Sequence, residues 1–516
     1  MTVRYPIGIQ SFSELRQLGY VYVDKTARVY ELTHHVKYHF LSRPRRFGKS
    51  LLISTIEAYF KGQKELFEGL AIAALEKEWL EYPVFHLDLS GVSYQEKGAL
   101  SDKLDSALSG WESQYGVTCN AKTDGVRFSN VIKQAKQKTG RGVVLLVDEY
   151  EKPILDTIGN PDLQDAYRSQ LNGFYGVIKG SDANLRFVLF TGVTKIGKMS
   201  IFSALNNLND LAFAPRFATL CGITEQELQQ VFHTDIHALA EYMNISDEEV
   251  SAQLKKKYDG YHFTANGIGV YNPFSLLNAF YNQKLSNYWF STGTPSFLVE
   301  LFRKQQFVLE DLENCMRTED QLKDIDSYQR DAIPLFYQSG YLTLKSGEDE
   351  FGRIKLGFPN EEVERGMLDF FIPFYCKSDG TTEFHVSYFV EDVRNANIES
   401  FMTRISSLLA DTTYEVDRAL EVHFQNFFYL LFKLMGFYVE AEYRTSVGRI
   451  DMVIKTDRYI YIIEFKLGRS AKLALNQIKK NHYVEPFMSD PRKKYLVGAN
   501  FSTKLRGMGK FVIEEM

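Results

Sequence analysis

The sequence predicts an α/β protein in three parts: a parallel sheet with helices on both faces, a helical middle, and a smaller α/β domain at the C-terminus. Three observations lead there. Residues 1–214 alternate short apolar runs with stretches of helical spacing, the pattern of a covered parallel sheet. Residues 215–345 lose the strand runs and keep the helical spacing. Residues 449–466 form an apolar hairpin that ends on charged groups. A chain of 516 residues exceeds a single core, so several domains are expected.

In the first part, strands are predicted over 38–42, 84–89, 143–147 and 186–191. Helices are predicted over 49–61, 97–115, 124–138 and 163–179. The run at 143–147 is continuous Val and Leu, the mark of a strand buried on both faces. The middle part carries helical spacing over 225–231, 235–242, 247–257, 273–281 and 295–302. Residues 346–398 hold weak strands and turn clusters (SGEDEFG, KSDGTT) and read as an irregular connection. The last domain, 399–516, shows a long amphipathic helix over 416–434, strands over 438–442, 449–455 and 459–466, a helix over 473–483 and a strand over 494–498.

Composition narrows the function. Hydrophobic residues make up 45% and charged residues 24%, ordinary for a globular chain, and with a net charge of −5 the chain as a whole is not a polyelectrolyte partner for nucleic acid. Four cysteines, Cys119, Cys221, Cys315 and Cys376, form no CxxC pair, which argues against a zinc site or a disulfide scaffold and fits a reducing cytoplasm. The N-terminus lacks a signal-peptide pattern, and the richest apolar stretch, 424–439, is broken by Gln425, Asn426 and Lys433. A cytoplasmic protein without a membrane span is expected.

The first chemical motif follows the strand at 38–42. SRPRRFGKS, residues 42–50, ends in Gly48-Lys49-Ser50, the closing half of a phosphate-binding loop. Such a loop needs backbone N–H groups on phosphate, a lysine for the outer phosphates and a hydroxyl for Mg²⁺. The usual opening glycine falls at Arg43, and Arg45 and Arg46 add positive charge. VVLLVDE, residues 143–149, ends a buried strand on two acids. Asp148 then holds Mg²⁺ together with Ser50, Glu149 activates the attacking water, and Thr191 senses the γ-phosphate. An acid pair in this order suits the ATPases whose catalytic Glu follows the magnesium Asp. The competing reading is a helix N-cap serine, an exposed lysine and two solvated acids.

"FLSRPRRFGKSLL", "LLVDEYEKPI", "FTGVTKI", "FSALNNLNDL", "YDGYHF" and "YNPFSLLNAF" together resemble the AAA-ATPase-like family of bacterial proteins with a C-terminal nuclease-like module. The resemblance runs over nearly the whole chain. It implies a P-loop NTPase fold that binds ATP with Mg²⁺, with Arg46, Gly48, Lys49, Ser50, Asp148 and Thr191 at the nucleotide and Glu149 at the water. One further motif has a structural reading and two keep two readings each. Asp24 and Lys25 of VDKT read as an N-terminal structural pair. Asp259 and His262 in KYDGYHF touch nucleotide or belong to a packed aromatic turn. Arg216 is an arginine finger for a neighbouring copy or, with more weight, a surface residue. A homo-oligomer stays open.

The second motif is GRIDMVIKTDRYIYIIEFKLG, residues 448–468. With the turn near 457–458, Asp451 pairs across the ladder with Glu464, and alternation puts Lys466 on the face of Glu464. Burying such groups without partners costs several kcal/mol. Two hard carboxylates suit Mg²⁺ or Mn²⁺, and the ammonium suits a phosphodiester under attack. The D-x(n)-E-x-K pattern is similar to the PD-(D/E)XK nuclease superfamily, with Ile450 where a proline is usual. That similarity implies a restriction-endonuclease-like domain with catalytic Asp451, Glu464 and Lys466, Mg²⁺ on Asp451 and Glu464, Glu421 as third carboxylate and Gln477 as a brace. The plain alternative is a structural Glu464–Lys466 ion pair. From 466 to 510 there are eleven Lys or Arg against Glu485 and Asp490, either a nucleic-acid face, DNA foremost, or a solvated surface. His482 and Tyr483 touch substrate on one reading; on the other, which has more weight, a lone His near a helix end is structural. The expectation is an ATP-controlled, Mg²⁺-dependent nuclease; one alternative is a nucleotide switch whose nuclease-fold module binds without cutting, and another, with less weight, is a DNA-translocating motor.

Overall fold

The computed structural model describes residues 3–118, 121–195, 207–291, 308–323, 331–375, 385–409, 417–446, 449–502 and 507–516; for 314, 417–421, 442–451, 467, 502 and 507 it is the backbone that is described. The chain divides into two compact units, Met1–Leu301 with Asn314–Glu364, and Phe302–Glu313 with Arg365–Met516.

The first unit is built on five parallel strands, β1 (Tyr38–Ser42), β2 (Val84–Asp88), β3 (Val143–Asp148), β4 (Leu185–Gly192) and β5 (Asn209–Asp210), in the order β2-β3-β4-β1-β5. β4 thus stands between the strand that feeds the phosphate loop and the strand that ends on the acids. The helices are α1 (Phe12–Gln17), α2 (Thr26–His35), α3 (Lys49–Phe60), α4 (Ala99–Tyr115), α5 (Asp124–Thr139) and α6 (Pro161–Gly180). Aromatic stacking fills one side of the sheet: Phe85 lies 4.6 Å from Trp111 and Phe128 lies 4.4 Å from Phe174. α5 meets α6 so closely that a Cβ on Gly125 would lie 2.5 Å from the Gly173 carbonyl oxygen.

The middle helices are α7 (Glu225–Val231), α8 (His233–Met243), α9 (Asp247–Tyr258) and α10 (Pro273–Asn282). Thr224 with Glu227 and Ser246 with Glu249 close capping boxes at α7 and α9. Tyr5, Ile7, Val21 and Val23 from the N-terminus pack against the core of these helices. The helix predicted over 295–302 lies outside the described residues. The same unit holds a small antiparallel sheet, β6 (Met316–Thr318), β7 (Thr343–Leu344) and β8 (Arg353–Gly357), in the order β6-β8-β7. Three residues in β6 and two in β7 leave too few alternations to announce those two strands in the sequence.

Residues 346–398, expected to be irregular, carry β8, α11 (Glu361–Tyr375) and α12 (Val386–Arg394). The Gly- and Asp-rich clusters between them dominate the local composition, while the apolar stripe of α12 is only Phe389, Val390 and Val393.

The second unit continues with α13 (Ile398–Leu409), α14 (Asp417–Gly436), β9 (Glu440–Ser446), β10 (Arg449–Lys455), β11 (Tyr459–Leu467), α15 (Ala471–Lys480), β12 (Lys493–Ser502) and β13 (Gly507–Glu515). The sheet order is β13-β12-β11-β10-β9, with β11 and β12 parallel and the other neighbours antiparallel. Met452, Ile454, Tyr461, Ile463, Phe465 and Val497 form one face and pack with α13 and α14. Ile460, Ile462 and Leu496 form the other and pack with Leu475 and Ile478 of α15. Strand alternation therefore assigns the two helix layers to opposite faces.

Gly498 is what lets α15 lie on the sheet. A Cβ there would lie 2.3 Å from the Ala471 carbonyl oxygen and 2.5 Å from the Leu475 nitrogen, both backbone atoms that cannot swing away. Gly498→Ala is expected to destabilise this unit by about 3 kcal/mol, read as a lowered denaturant midpoint. An unchanged midpoint would mean that α15 is not held against β12. Among the described residues, no helix is long and apolar enough to cross a membrane.

Candidate functional site

The loop between β1 and α3 runs under the N-terminus of α3. Gly48 adopts φ +88° and Arg46 φ +67°, both left-handed, so the turn into the helix is tight at two positions. Lys49 is buried; its Nζ lies 3.1 Å from the Arg43 carbonyl oxygen, 3.3 Å from that of Pro44 and 3.5 Å from Glu149 Oε1. Ser50 Oγ donates to Asp148 Oδ2 at 2.6 Å, and Thr191 Oγ1 donates to Asp148 Oδ1 at 2.5 Å. Asp148 is buried, and the Glu149 N–H also donates to its Oδ1. Glu149 itself sits at φ +53°, which turns its carboxylate toward Lys49. The β4 insertion is what brings Thr191 between the loop and the acids. Lysine, serine, both acids and threonine, predicted from separate stretches, thus converge at one sheet edge.

A cleft of about 420 Å³ opens over this cluster, bordered by Pro6 to Gln10, Arg46, Lys49, Ser50, Glu149 and Phe274. Hydroxyl and carboxylate oxygens at Ser50 and Asp148 are the hard donors that Mg²⁺ takes, so the residues fit that ion.

Arg43 explains the missing glycine. It does not adopt a left-handed φ, so the loop asks nothing there that only glycine provides. Its buried guanidinium donates to the carbonyls of Ala212 (3.1 Å) and Phe217 (3.1 Å) and lies 4.0 Å from the Phe263 ring centre. It is a structural post, aimed away from the cleft. KYDGYHF is a packed turn against the same loop: Tyr261 and Phe263 meet Phe47 at 4.7 and 5.8 Å. His262 Nδ1 is 3.0 Å from the Gly267 carbonyl, and neither His262 nor Asp259 borders the cleft. Arg216 is ion-paired with Glu31 of its own chain.

Two carboxyls went unnoticed in the sequence. Glu151 is buried, and its Oε1 accepts from the N–H groups of Val193 (2.5 Å) and Thr194 (3.1 Å), tying β3 to the end of β4. Gly192 makes the space: a Cβ there would lie 2.0 Å from Glu151 Oε2. Burial, then the charge of Glu149, raises the Glu151 carboxyl well above the usual carboxylate range. Glu362, on α11, is likewise buried; it accepts from Ser275 Oγ and the Trp289 N–H, both at 2.7 Å, while the Trp289 indole donates to the Arg45 carbonyl of the phosphate loop at 3.0 Å. Burial pushes this carboxyl from 4.5 up to about 7. The folded chain therefore keeps a proton that the unfolded chain gives up between about pH 4.5 and 7, so this group makes stability fall as pH rises through that window. Glu362→Gln is expected to flatten that fall, which is at most about 1.4 kcal/mol per pH unit. Melting temperatures across the window check it; parallel curves for both proteins would place the proton elsewhere.

In the second unit, Asp451 stands opposite Glu464 in the β10–β11 ladder, and Glu464 and Lys466 stand beside Gly498 and Asn500 of β12. Glu464 shares the face of Gly498, which is the face under α15. Its carboxylate is fully buried and lies 3.0 Å from Lys466 Nζ, itself only 11% exposed. The side chains of Asp451 and Glu421 lie outside the described residues, although α14 covers the opposite face. Gln477 lies farther along α15 than Ala471 and Leu475, the residues that meet Gly498. A buried carboxylate opposite a second acidic position fits a hard divalent cation.

The basic stretch is more neutral than its count. Lys479 pairs with Glu514 (2.6 Å), Lys493 with Glu515 (2.5 Å) and Arg492 with Asp490 (2.6 Å). Two of those acids follow residue 510 and escaped the tally. Arg469, Lys472 and Lys480 are exposed on and beside α15. His482 pairs with Glu485.

Fold and sites together define a P-loop nucleoside-triphosphatase fold joined to a nuclease-type mixed sheet. The comparisons agree. Residues 6–202 match the model of the predicted AAA-ATPase family, and residues 419–510 match the PD-(D/E)XK nuclease superfamily. The chain is 33% identical over 524 residues, 99% of both chains, to a protein of Azotobacter chroococcum mcd 1 described as an uncharacterized protein in the vnfD 5' region. The chain belongs to the family of predicted AAA-ATPases that carry a C-terminal PD-(D/E)XK nuclease domain.

Proposed function

We propose that the chain is a cytoplasmic ATP-binding and ATP-hydrolysing protein whose nucleotide state governs a Mg²⁺-dependent nuclease module acting on DNA. One observation carries the nucleotide reading. Lys49, Ser50, Asp148, Glu149 and Thr191 meet at the N-terminus of α3, with Ser50 on Asp148 at 2.6 Å and Lys49 on Glu149 at 3.5 Å. The N–H groups of the loop and of the first turn of α3 bind the phosphates, and Lys49 neutralises the outer ones. Mg²⁺, held by Ser50 and Asp148, supplies Lewis acidity when bound. Glu149 takes the proton of the attacking water on its carboxylate, and Thr191 fixes Asp148 from the β4 side.

In the C-terminal domain, Asp451 and Glu464 hold the second Mg²⁺, and Lys466 orients the nucleophile and offsets the charge that builds on the phosphodiester. Arg469, Lys472 and Lys480 receive the backbone of the nucleic acid. A second reading, a nucleotide switch whose nuclease-fold module binds without cutting, is favoured by one fact: the buried Glu464 carboxylate is ion-paired with Lys466 at 3.0 Å.

Equilibrium titration with a fluorescent ATP analogue tests the first site. Lys49→Ala is expected to weaken binding about 100-fold or more, since a desolvated charge pair with phosphate is lost. Binding within a factor of two of the parent would remove the phosphate-loop assignment.

A further inference from the structure

Next to the phosphate loop lies a smaller chamber of about 110 Å³ that shares Pro6, Gly48, Leu51, Pro273 and Leu277 with the cleft described above. Most of its wall is apolar, with Leu15, Val21, Val23, Ile223 and Phe232 among the border residues. Lys25 of the VDKT motif also borders it. This lysine is 12% exposed, and its Nζ lies 2.6 and 2.7 Å from the two carboxylate oxygens of Glu227.

The motif is built to hold that ammonium still. Asp24 Oδ1 accepts from the Thr26 N–H (2.8 Å) and hydroxyl (2.6 Å), and its Oδ2 accepts from the Ala71 N–H (2.7 Å). Glu227 is pinned in turn, because Oε2 also accepts the Thr224 N–H at 2.8 Å in the capping box of α7. An ammonium has three protons and the two contacts to Glu227 engage two of them, so one N–H remains to donate. A lysine seated among apolar walls, with one donor over, is costly unless a buried acceptor meets it. A flat, largely apolar guest with ring acceptors, joined to phosphates at Gly48, satisfies every one of these features.

We propose that Lys25 reads the base of the bound nucleotide: a purine seated in the chamber accepts a hydrogen bond from Lys25 Nζ on a ring nitrogen or on an exocyclic oxygen. This rests on the phosphate-loop reading above and adds to it the residue that selects the base. Lys25 is then a specificity residue, and the VDKT motif is its mount.

The test titrates the full chain, with Mg²⁺, against ATP, GTP, CTP and inorganic tripolyphosphate. One purine nucleotide is expected to bind at least tenfold tighter than CTP and tripolyphosphate. Lys25→Met is expected to remove that tenfold and to leave tripolyphosphate within twofold. A variant that loses tripolyphosphate in step with the purine, or loses neither, overturns the assignment. Because Lys25→Met deprives Glu227 of its cation and can cost folding, a series on the wild-type protein runs beside it, using analogues of the preferred purine triphosphate that each lack one ring acceptor or the 6-oxygen. One analogue must bind about tenfold more weakly; uniform binding overturns the proposal. If neither the triphosphates nor tripolyphosphate bind, the phosphate-loop reading itself falls, a result distinct from loss of base selection alone.

Discussion

Lys466→Ala is expected to lower Mg²⁺-dependent cleavage of DNA by about 10²- to 10³-fold, the usual loss when one preorganised charge at a reacting phosphate is removed. Lys466 Nζ is the cation at 3.0 Å from Glu464, and Glu464 has no exposed surface. Removing the lysine leaves a buried carboxylate without that partner, which costs about 3–5 kcal/mol where the partner is needed for folding. Loss of activity alone would therefore not separate chemistry from stability. The double variant Glu464→Gln with Lys466→Met does so, because two neutral groups of similar size replace the pair and remove both charges together. It is expected to melt within a few degrees of the parent and to nick no plasmid above background. Equal nicking by parent and both variants would assign the activity to a contaminant and leave the non-cutting switch standing.

Glu149→Gln is expected to slow ATP hydrolysis by about 10²- to 10⁴-fold while ATP still binds, the range for loss of a general base. The side chain keeps its size and its hydrogen-bonding reach but can no longer accept a proton at neutral pH. Binding is expected to hold or tighten, because the substitution also removes a negative charge at 3.5 Å from Lys49, next to the phosphate site. The same change relieves part of the pressure on Glu151, whose carboxyl is raised first by burial and then by the Glu149 charge. A raised carboxyl holds its proton in the fold and makes stability decline as pH rises, so Glu149→Gln should reduce that decline. Single-turnover hydrolysis and melting curves against pH read both effects. Unaltered turnover would show that another group accepts the proton.

The local structure that carries both candidate sites was legible because it is built from contiguous residues. Strand, loop and helix at 38–60 form one continuous piece, so apolar run, Gly-Lys-Ser and helical spacing announce it without help from elsewhere. The ladder partner of Glu464 followed from counting back through a short turn, and Asp451 does stand opposite it. The departures have causes that lie outside the window around each motif. Arg43 read as a defect in a glycine position, although its guanidinium meets carbonyls at 212 and 217, residues that no window around the loop contains. Arg492, Lys493 and Lys479 read as free positive charge, although two of their three partners lie beyond the stretch that was counted. α12 was hidden because turn-forming clusters on its flank outweighed one short stripe of apolar residues.

Contiguous residues settle most of the elements and the motifs placed on them, since apolar periodicity, a phosphate-loop ending and an ExK strand are local properties of the chain. Tertiary structure alone decided what those residues face. β4 had to slide between β1 and β3 before Thr191 reached Asp148, Gly192 had to lack a Cβ before Glu151 could turn inward, and Lys25 had to meet Glu227 across a separation of 202 residues. Such pairings depend on chain reversal and close packing, where a gap of a few ångströms decides whether a charge is matched or stranded, and no local pattern of side chains encodes that distance.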